Sequence, residues 1–424
     1  MDQRSLHLHT VPARILFLAA LVAGAHAVAA QVPVFAGDEI RVDDGQSEDS
    51  FGQQVAVFSD GGFAVVWTIL SPTDPNTYEL HARCFGPDDA PSTGELLLLP
   101  PAQTAHNPLS ADALLVDAAG NLLLIYEEEV GGQPLAIFAQ RLSHLATPMG
   151  PRIPVSAPSP FYRYRATAAL TPDGGFVVSW GAEAPAGNAT LTDDVYMRRF
   201  DVAGNPLGPE VRVAAGSAVE PVVPGGVVVQ RDGSFVLGYQ RRDPAAQLFA
   251  ADGRPGRLIS EHYQGDAGGY TKLVASRNGG FVVAWTNYGV DSPGGNAGVG
   301  ARFFAASGAP RGADFEVNRF GPGEQDLSGL TTLPRGGFLA VWNDFTGRDG
   351  PGFDVYGRAI SATGKPLTND LHLSQSTTGY QLIPVAGSNA AGDIIVVWLH
   401  QPDSQGSPPI YLIARRLKAS PPPS

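Results

Sequence analysis

The chain has almost none of the side chains that staple, ligate or grip nucleic acid. Of 424 residues a single one is cysteine, Cys84, so no internal disulfide can form and paired-thiol metal or redox motifs are excluded. A lone thiol of this kind reads as a small buried apolar residue rather than a nucleophile. Lysine is scarce, with Lys272, Lys365 and Lys418 alone, and 28 Lys+Arg against 41 Asp+Glu leave a formal charge of −13. Without a basic stripe to displace counterions from phosphates, nucleic acid is a poor partner. After the first thirty residues no apolar run nears the roughly 20 residues that span a bilayer. No long segment carries caps around a 3.6-residue apolar period, which disfavours helix throughout. The linear signatures G-x-S-x-G and H-E-x-x-H are missing, and the histidines beyond residue 30 are scattered without ligand spacing.

What is present is turn chemistry: 51 glycines and 36 prolines punctuate short apolar runs. Seven times a glycine turn precedes a run ending in Trp67, Tyr126, Trp180, Tyr239, Trp285, Trp342 or Trp398, at spacings of 59, 54, 59, 46, 57 and 56 residues. A period of that size marks a repeat architecture. One unit runs from Tyr270 to Asn318. Leu273-Val274-Ala275 is followed by a turn at Asn278-Gly279-Gly280, then Phe281 to Trp285, a polar loop, Val299 to Phe304, a turn at Ser307 to Pro310, and Phe315 to Asn318. These are four short strands of an antiparallel meander. Asp60-Gly61, Asp173-Gly174, Asp232-Gly233 and Asn278-Gly279 suit the tight hairpin between first and second strands.

In the second strand Phe281, Val283 and Trp285 share one face while Val282 and Ala284 share the other. Both faces are apolar, which fits sheets stacked radially better than a sandwich with one wet face. Six repeats show a fourth strand, at Leu96–Leu99, Arg152–Val155, Glu210–Val213, Arg257–Ser260, Phe315–Asn318 and Asp370–Leu373. The seventh ends without one, and Glu39–Val42 stands spare at the other terminus. The expected fold is therefore all-β: a seven-bladed β-propeller of four-stranded antiparallel blades, closed by an N-terminal strand that hides an edge. An open solenoid or two smaller sheets is the alternative.

The segments GGFVVSW … DVYMRRFDVAGNPLGPEVRV (174–213) and GGFLAVW … FDVYGRAISATGKPLTNDLHL (336–373) resemble a repeat of bacterial exported β-propeller-like proteins. The resemblance spans about residues 36–418 and implies architecture and export; it carries no catalytic residue. Tyr126 and Tyr239 depart from it in place of Trp, and the WD and kelch signatures are absent.

Residues 1–30 read as a signal peptide, with Arg4 and Arg14 before the apolar Ile15–Ala23 and small-x-small sites at Ala25-His26-Ala27 and Val28-Ala29-Ala30. The competing reading is an N-terminal anchor, for which the apolar core is short. Removing the leader, which holds Asp2, Arg4 and Arg14, takes the charge from −13 to −14. Residues 31–418 are expected to be one propeller domain and 419–424 a disordered Pro-rich tail, in an extracytoplasmic protein, secreted or periplasmic, with no membrane span after signal removal.

Candidate chemistry is sparse. The loop Asn343 to Asp354 spaces Asp344, Asp349 and Asp354 among glycines, a weak calcium candidate without EF-hand spacing; no other cofactor is expected. Glu127-Glu128-Glu129 reads as a solvated charge run, since alternation separates neighbours on an extended chain. Thr171-Pro172-Asp173-Gly174-Gly175-Phe176 has a faint look of a sialidase Asp-box but sits in a first-to-second-strand turn. Loops after the second strand and connectors between repeats emerge on one face of such a fold. That face would gather Tyr162, Tyr164, Tyr263, Tyr270 and Tyr380, with Phe161, Phe320, Glu127, Glu183, Asp291, Asp349 and Asp403. Aromatic platforms among carboxylates suit a protein or glycan ligand. Two functions follow: a non-enzymatic exported propeller binding a protein or glycan through its loop face, or a glycan-processing hydrolase or lyase with a site assembled from several blades. Carboxylates converging at the mouth of a central channel would favour the second.

Overall fold

The computed structural model describes residues 32–45, 50–74, 77–103, 110–129, 131–183, 193–217, 220–260, 271–276, 279–288, 297–319, 321–402 and 409–420. The expected signal peptide and the last four residues lie outside them. All elements described are strands. After β1 (Val32–Arg41) come five four-stranded antiparallel sheets in chain order. The first holds β2–β5 (Ser50–Val57, Phe63–Leu70, Thr77–Phe85, Leu96–Gln103), the second β6–β9 (Ser110–Val116, Leu122–Glu128, Ala136–Leu142, Ile153–Pro154). The third holds β10–β13 (Tyr162–Leu170, Phe176–Glu183, Asp194–Phe200, Val211–Ala214). The fourth holds β14–β17 (Val223–Val229, Phe235–Gln240, Pro244–Phe249, Pro255–Ser260), the fifth β18–β21 (Thr271–Ala275, Gly280–Tyr288, Ala297–Ala305, Phe315–Glu316).

The remaining strands share one eight-stranded sheet: β22–β25 (Gln325–Thr332, Phe338–Asp344, Gly352–Ile360, Leu371–His372) and β26–β28 (Gly379–Ser388, Asp393–Gln401, Tyr411–Ser420), with β1 beyond β28. Separate sheets were expected here. The two units are joined by a short parallel contact, Gly352↔Gly379 and Phe353↔Tyr380. It exists because both residues are glycines: a Cβ on Gly352 would stand 1.9 Å from the Gly379 carbonyl oxygen. At that one pair the backbones leave no room for a side chain.

The second strands are buried on both faces, as their two-sided apolar pattern requires; every residue of β23, for example, is buried. Trp67, Trp180, Trp285, Trp342, Trp398 and Tyr126 are among the largest fully buried side chains. Each sheet shares a core with the next, and Val55, Val57, Phe63 and Trp67 of the first pack with Ile395, Val397, Leu412 and Ala414 of the last. Cys84 is buried in β4, and desolvation pushes its thiol up to about 11, countered by Thr93, so it has no thiolate to react with.

Strand β1 pairs antiparallel with β28, from Val32↔Ser420 to Arg41↔Ile413 with a bulge between Phe35 and Glu39. It starts seven residues earlier than Glu39, and β28 runs past 418, because each strand lends the other its hydrogen-bonding edge. The end of β1 also repeats a local pattern seen in other outer strands. Val42 N–H donates to Leu412 O at 2.8 Å, as Val155 does to Ile137 (2.9 Å), Val317 to Val299 (2.7 Å) and Leu373 to Val355 (3.0 Å). The next residue accepts the N–H of that partner: Asp43 from Leu412, Ser156 from Ile137, Asn318 from Val299. Third-strand arginines then bind the preceding unit. Arg198 reaches Val155 O, Arg358 reaches Val317 O, Arg415 reaches Leu373 O, and Arg83 of the first sheet reaches Val42 O at 2.9 Å.

Candidate functional site

The first strands of the sheets lie against one another in succession, β2 on β6, β6 on β10, β10 on β14, β14 on β18, β18 on β22, β22 on β26, and β26 on β2. They are the innermost strands. In six of them the register slips beside the repeat aromatic: at Phe51/Gln54, Ala111/Ala113, Tyr164/Thr167, Pro224/Gly226, Leu327/Gly329 and Leu382/Val385. A bulge places one or two unpaired residues there and re-aims their side chains. Arg165 (φ 51°) and Ile383 (φ 54°) hold left-handed backbone at these bulges without being glycine, a conformation that persists only where its surroundings impose it.

After three of the aromatics, the next residue holds the neighbouring first strand. Asn343 Oδ1 accepts Ile383 N–H at 2.7 Å and Thr286 Oγ1 accepts Leu327 N–H at 3.1 Å, each bridging to the next sheet. Glu127 occupies the same place after Tyr126 and accepts Arg165 N–H, while Asp112, the bulge residue of β6, accepts Ala166 N–H. Two carboxyls thus hold successive N–H groups of the β10 bulge. Their other oxygens, Asp112 Oδ2 and Glu127 Oε2, are buried and have no hydrogen-bond partner among the described residues. Burial pushes the Glu127 carboxyl up to about 7 against the pull of Arg165's backbone N–H and charge. Asp112 is raised well above the usual carboxylate range by burial and then by the Glu127 charge, against Ala166 N–H and Arg165.

Lys272 on β18 joins them. It stands opposite Ala284, one step from Trp285, at the level of the other bulges. Burial and then the Arg165 charge lower its pKa. The intervening strand β14 carries Gly225 and Gly226 at this level, and a Cβ on Gly225 would lie 2.7 Å from Thr271 O. The bare backbone lets β18 close in, which brings Lys272 within reach of Arg165's field. Asp112 and Glu127 of the second sheet thus meet Arg165 of the third, and Lys272 of the fifth feels the Arg165 charge.

Glu127 is therefore not part of a solvated run. Glu128 points the other way, to Arg152 at 2.5 Å, as strand alternation demands, but Glu127 faces the neighbouring bulge. Asp112, Arg165 and Lys272 carried no sequence signal of their own; counting one residue past each aromatic, and its opposite in the first strand, is what finds them.

The residues expected at the loop face are dispersed. Tyr162 and Tyr164 lie on β10, where Tyr162 pairs with Glu183 and the Tyr164 ring covers Gly181. Tyr380, second residue of β26, stacks on Phe353 of β24 at 4.6 Å, with Phe345 edge-on to Phe353 at 4.9 Å. Tyr263, Tyr270, Phe320, Asp291 and Asp403 lie outside the described residues. The calcium candidates turn to side chains rather than to a common centre: Asp344 to Arg348, Asp349 and Asp354 to His372. Asp344 accepts Thr346 N–H at 3.1 Å and pairs with Arg348 at 3.1 Å. Asp354 holds His372 at 3.1 Å and Ser374 at 3.0 Å, and Asp349 approaches the other His372 nitrogen at 3.8 Å. Among the described residues no group of acidic, His or Cys side chains is arranged to hold a metal. The Thr171–Phe176 segment is a hairpin turn, Gly174 N–H to Thr171 O, lining a cavity of about 260 Å³ at the opposite end from the bulges.

No family model and no curated protein matches the sequence. Solved structures do resemble the fold. The β-propeller domain of the trilobed protease from Pyrococcus furiosus, which has an open velcro topology, superposes with TM-score 0.50 at 8% identity, over 88% of this chain and 96% of that one. The fold is a β-propeller. A protein of unknown function from Dyadobacter fermentans is similar at TM-score 0.52 and 11% identity, over 92% of this chain and 99% of its own. Raptor from Chaetomium thermophilum is similar at TM-score 0.51 and 10% identity, over 92% of this propeller, which spans 29% of Raptor's length. At such identities the likeness is one of fold alone. Among the described residues of the propeller, no helix is long and apolar enough to cross a membrane.

Proposed function

We propose that this is an exported seven-bladed propeller, closed by β1 as fourth strand of the last blade, that binds a glycan where the bulges meet at the mouth of its central channel. Closure is supported by the contact of β26 with β2 and by Arg83, which reaches Val42 as other third-strand arginines reach their preceding blades. The observation that carries the binding site is the gathering of Asp112, Glu127 and Arg165, with two buried carboxyl oxygens that have no donor among the described residues. A sugar presents hydroxyls that donate and accept at once, and buried polar groups without partners are costly unless something fills them. Export rests on the apolar leader, and N-terminal sequencing of the secreted protein should begin at Val28 or Gln31; an intact Met1 would favour an anchor. The test of binding is a glycan array and calorimetry on the mature protein, with Asp112→Asn and Glu127→Gln expected to weaken capture. Binding unaffected by either change would remove the site.

A second reading is favoured by the same carboxyls. A pair of acids whose environments raise them towards neutrality is suited to proton transfer during glycosidic cleavage. Reducing-end assays on any captured glycan separate the two readings: release of new ends, lost in Asp112→Asn, marks a hydrolase.

A further inference from the structure

We propose that Ile383 is a specificity-determining contact at the channel mouth, and that the glycan bound there offers it a methyl group, as a 6-deoxy sugar or an N-acetyl sugar does; this rests on the binding site proposed above.

The backbone carries it first. The bulges of β2, β10 and β26 are alike, each setting two residues without a ladder partner opposite the repeat tryptophan: Gly52 and Gln53 at Trp67, Arg165 and Ala166 at Trp180, Ile383 and Pro384 at Trp398. The first residue of each pair is left-handed, at φ 60°, 51° and 54°. Glycine takes that conformation without steric cost, as in β2, whereas a β-branched residue is among the least suited to it. Ile383 is held there from two sides. Its N–H donates to Asn343 Oδ1 on β23 at 2.7 Å, and its carbonyl accepts Gln53 Nε2 from the β2 bulge at 2.5 Å. Both bonds are to the main chain and would hold a glycine equally well, so they do not account for the isoleucine.

Core packing does not account for it either. Ile383 is the one exposed residue of β26, an innermost strand, and its exposure is 50%. A strained backbone that gains nothing in the free protein points to a contact made only in the complex. The rim on which Ile383 stands leads to the carboxyls: Gln53 holds Ile383, and the adjacent Gln54 Nε2 approaches Ala111 O at 3.4 Å, next to Asp112. Ile383 and the Asp112–Glu127 pair thus lie on one run of bulges, with that of β2 between them. Carboxyls and amides take sugar hydroxyls. An isoleucine takes none; it covers carbon that bears no oxygen, which on a sugar is a methyl substituent.

The experiment is calorimetry on the full mature chain with oligosaccharides of equal length: a plain glucan, a 6-deoxyhexose oligomer and a chitin oligomer. A methyl-bearing oligomer should bind more tightly than the glucan, and the two arms distinguish the source of the methyl. Ile383→Ala should lose roughly three- to tenfold of that affinity, the weight of one or two methyl groups on an open surface, while Ile383→Val keeps most of it. Ile383→Gly adds a readout that needs no ligand. It should melt above the parent, because the strain is gone, and bind the methyl-bearing oligomer as weakly as Ile383→Ala does. An Ile383→Gly protein that melts at or below the parent temperature overturns the strain argument and the proposal with it. Equal affinity for the glucan and the methyl-bearing oligomers, still weakened by Glu127→Gln, overturns the role of Ile383 and leaves the binding site standing. Absence of binding to every oligomer overturns both.

Discussion

Replacing Glu127 by Gln tests the electrostatics of the channel mouth through stability alone, without knowledge of the ligand. The carboxyl rises from its ordinary value of 4.5 to about 7 because Oε2 is sealed from water without a donor. The folded state therefore holds this proton more tightly than the unfolded chain. Its contribution is most favourable below pH 4.5, falls as pH rises towards 7, and is flat above. A rise of that size corresponds to a loss of about 3 kcal/mol across the window, a ceiling because Asp112 titrates with it. Gln retains an acceptor for Arg165 N–H and cannot ionise, and it frees Asp112 from a neighbouring charge. Urea unfolding of parent and Glu127→Gln at pH 5 and pH 8 reads the effect, titrating groups other than Asp112 cancelling in the difference. The variant should match the parent closely at pH 5 and exceed it by up to about 3 kcal/mol at pH 8. The same difference at both pH values would refute a raised carboxyl at this site.

Trp285→Ala should cost roughly 3–5 kcal/mol from lost burial and the cavity left behind, whereas Tyr162→Ala should leave the denaturation midpoint nearly unmoved; the reverse order would invert the assignment of core and surface. Arg358→Ala removes donors to Thr368 O and Val317 O and should cost about 2–3 kcal/mol by the same assay. Arg83→Ala should cost a similar amount if the first and last sheets are joined as the others are; a neutral result would argue against closure. Deleting residues 31–45 should expose the β28 edge and lower the melting temperature or cause aggregation, and a deletion that melts like the parent would sink the ring.

Much of the scaffold was legible because it is written locally. Turn dipeptides such as Asp173-Gly174 and two-sided apolar runs such as Phe281–Trp285 act over a few residues, and the spare Glu39–Val42 could be matched to a repeat that ended early. The cluster at the β10 bulge was not legible for a physical reason. It depends on register: a bulge moves Asp112 or Arg165 out of the alternation from which facing is inferred. Glu127 was misread because alternation describes its strand correctly, sending Glu128 to Arg152, yet says nothing of which neighbouring sheet receives Glu127.

The pairing of β1 with β28 has a consequence for how the chain is made. Arg41 and Tyr411 are 370 residues apart, so at ribosomal rates β1 waits roughly 20 to 70 s before its partner exists. Through that interval it is an extended segment with an open edge, the condition in which strands find wrong partners. Its own residues blunt the hazard: Pro33 withholds a donor, Gly37 weakens the strand, and Asp38 and Glu39 place adjacent charges beside the bulge. β1 is thereby built to stay single until β28 arrives.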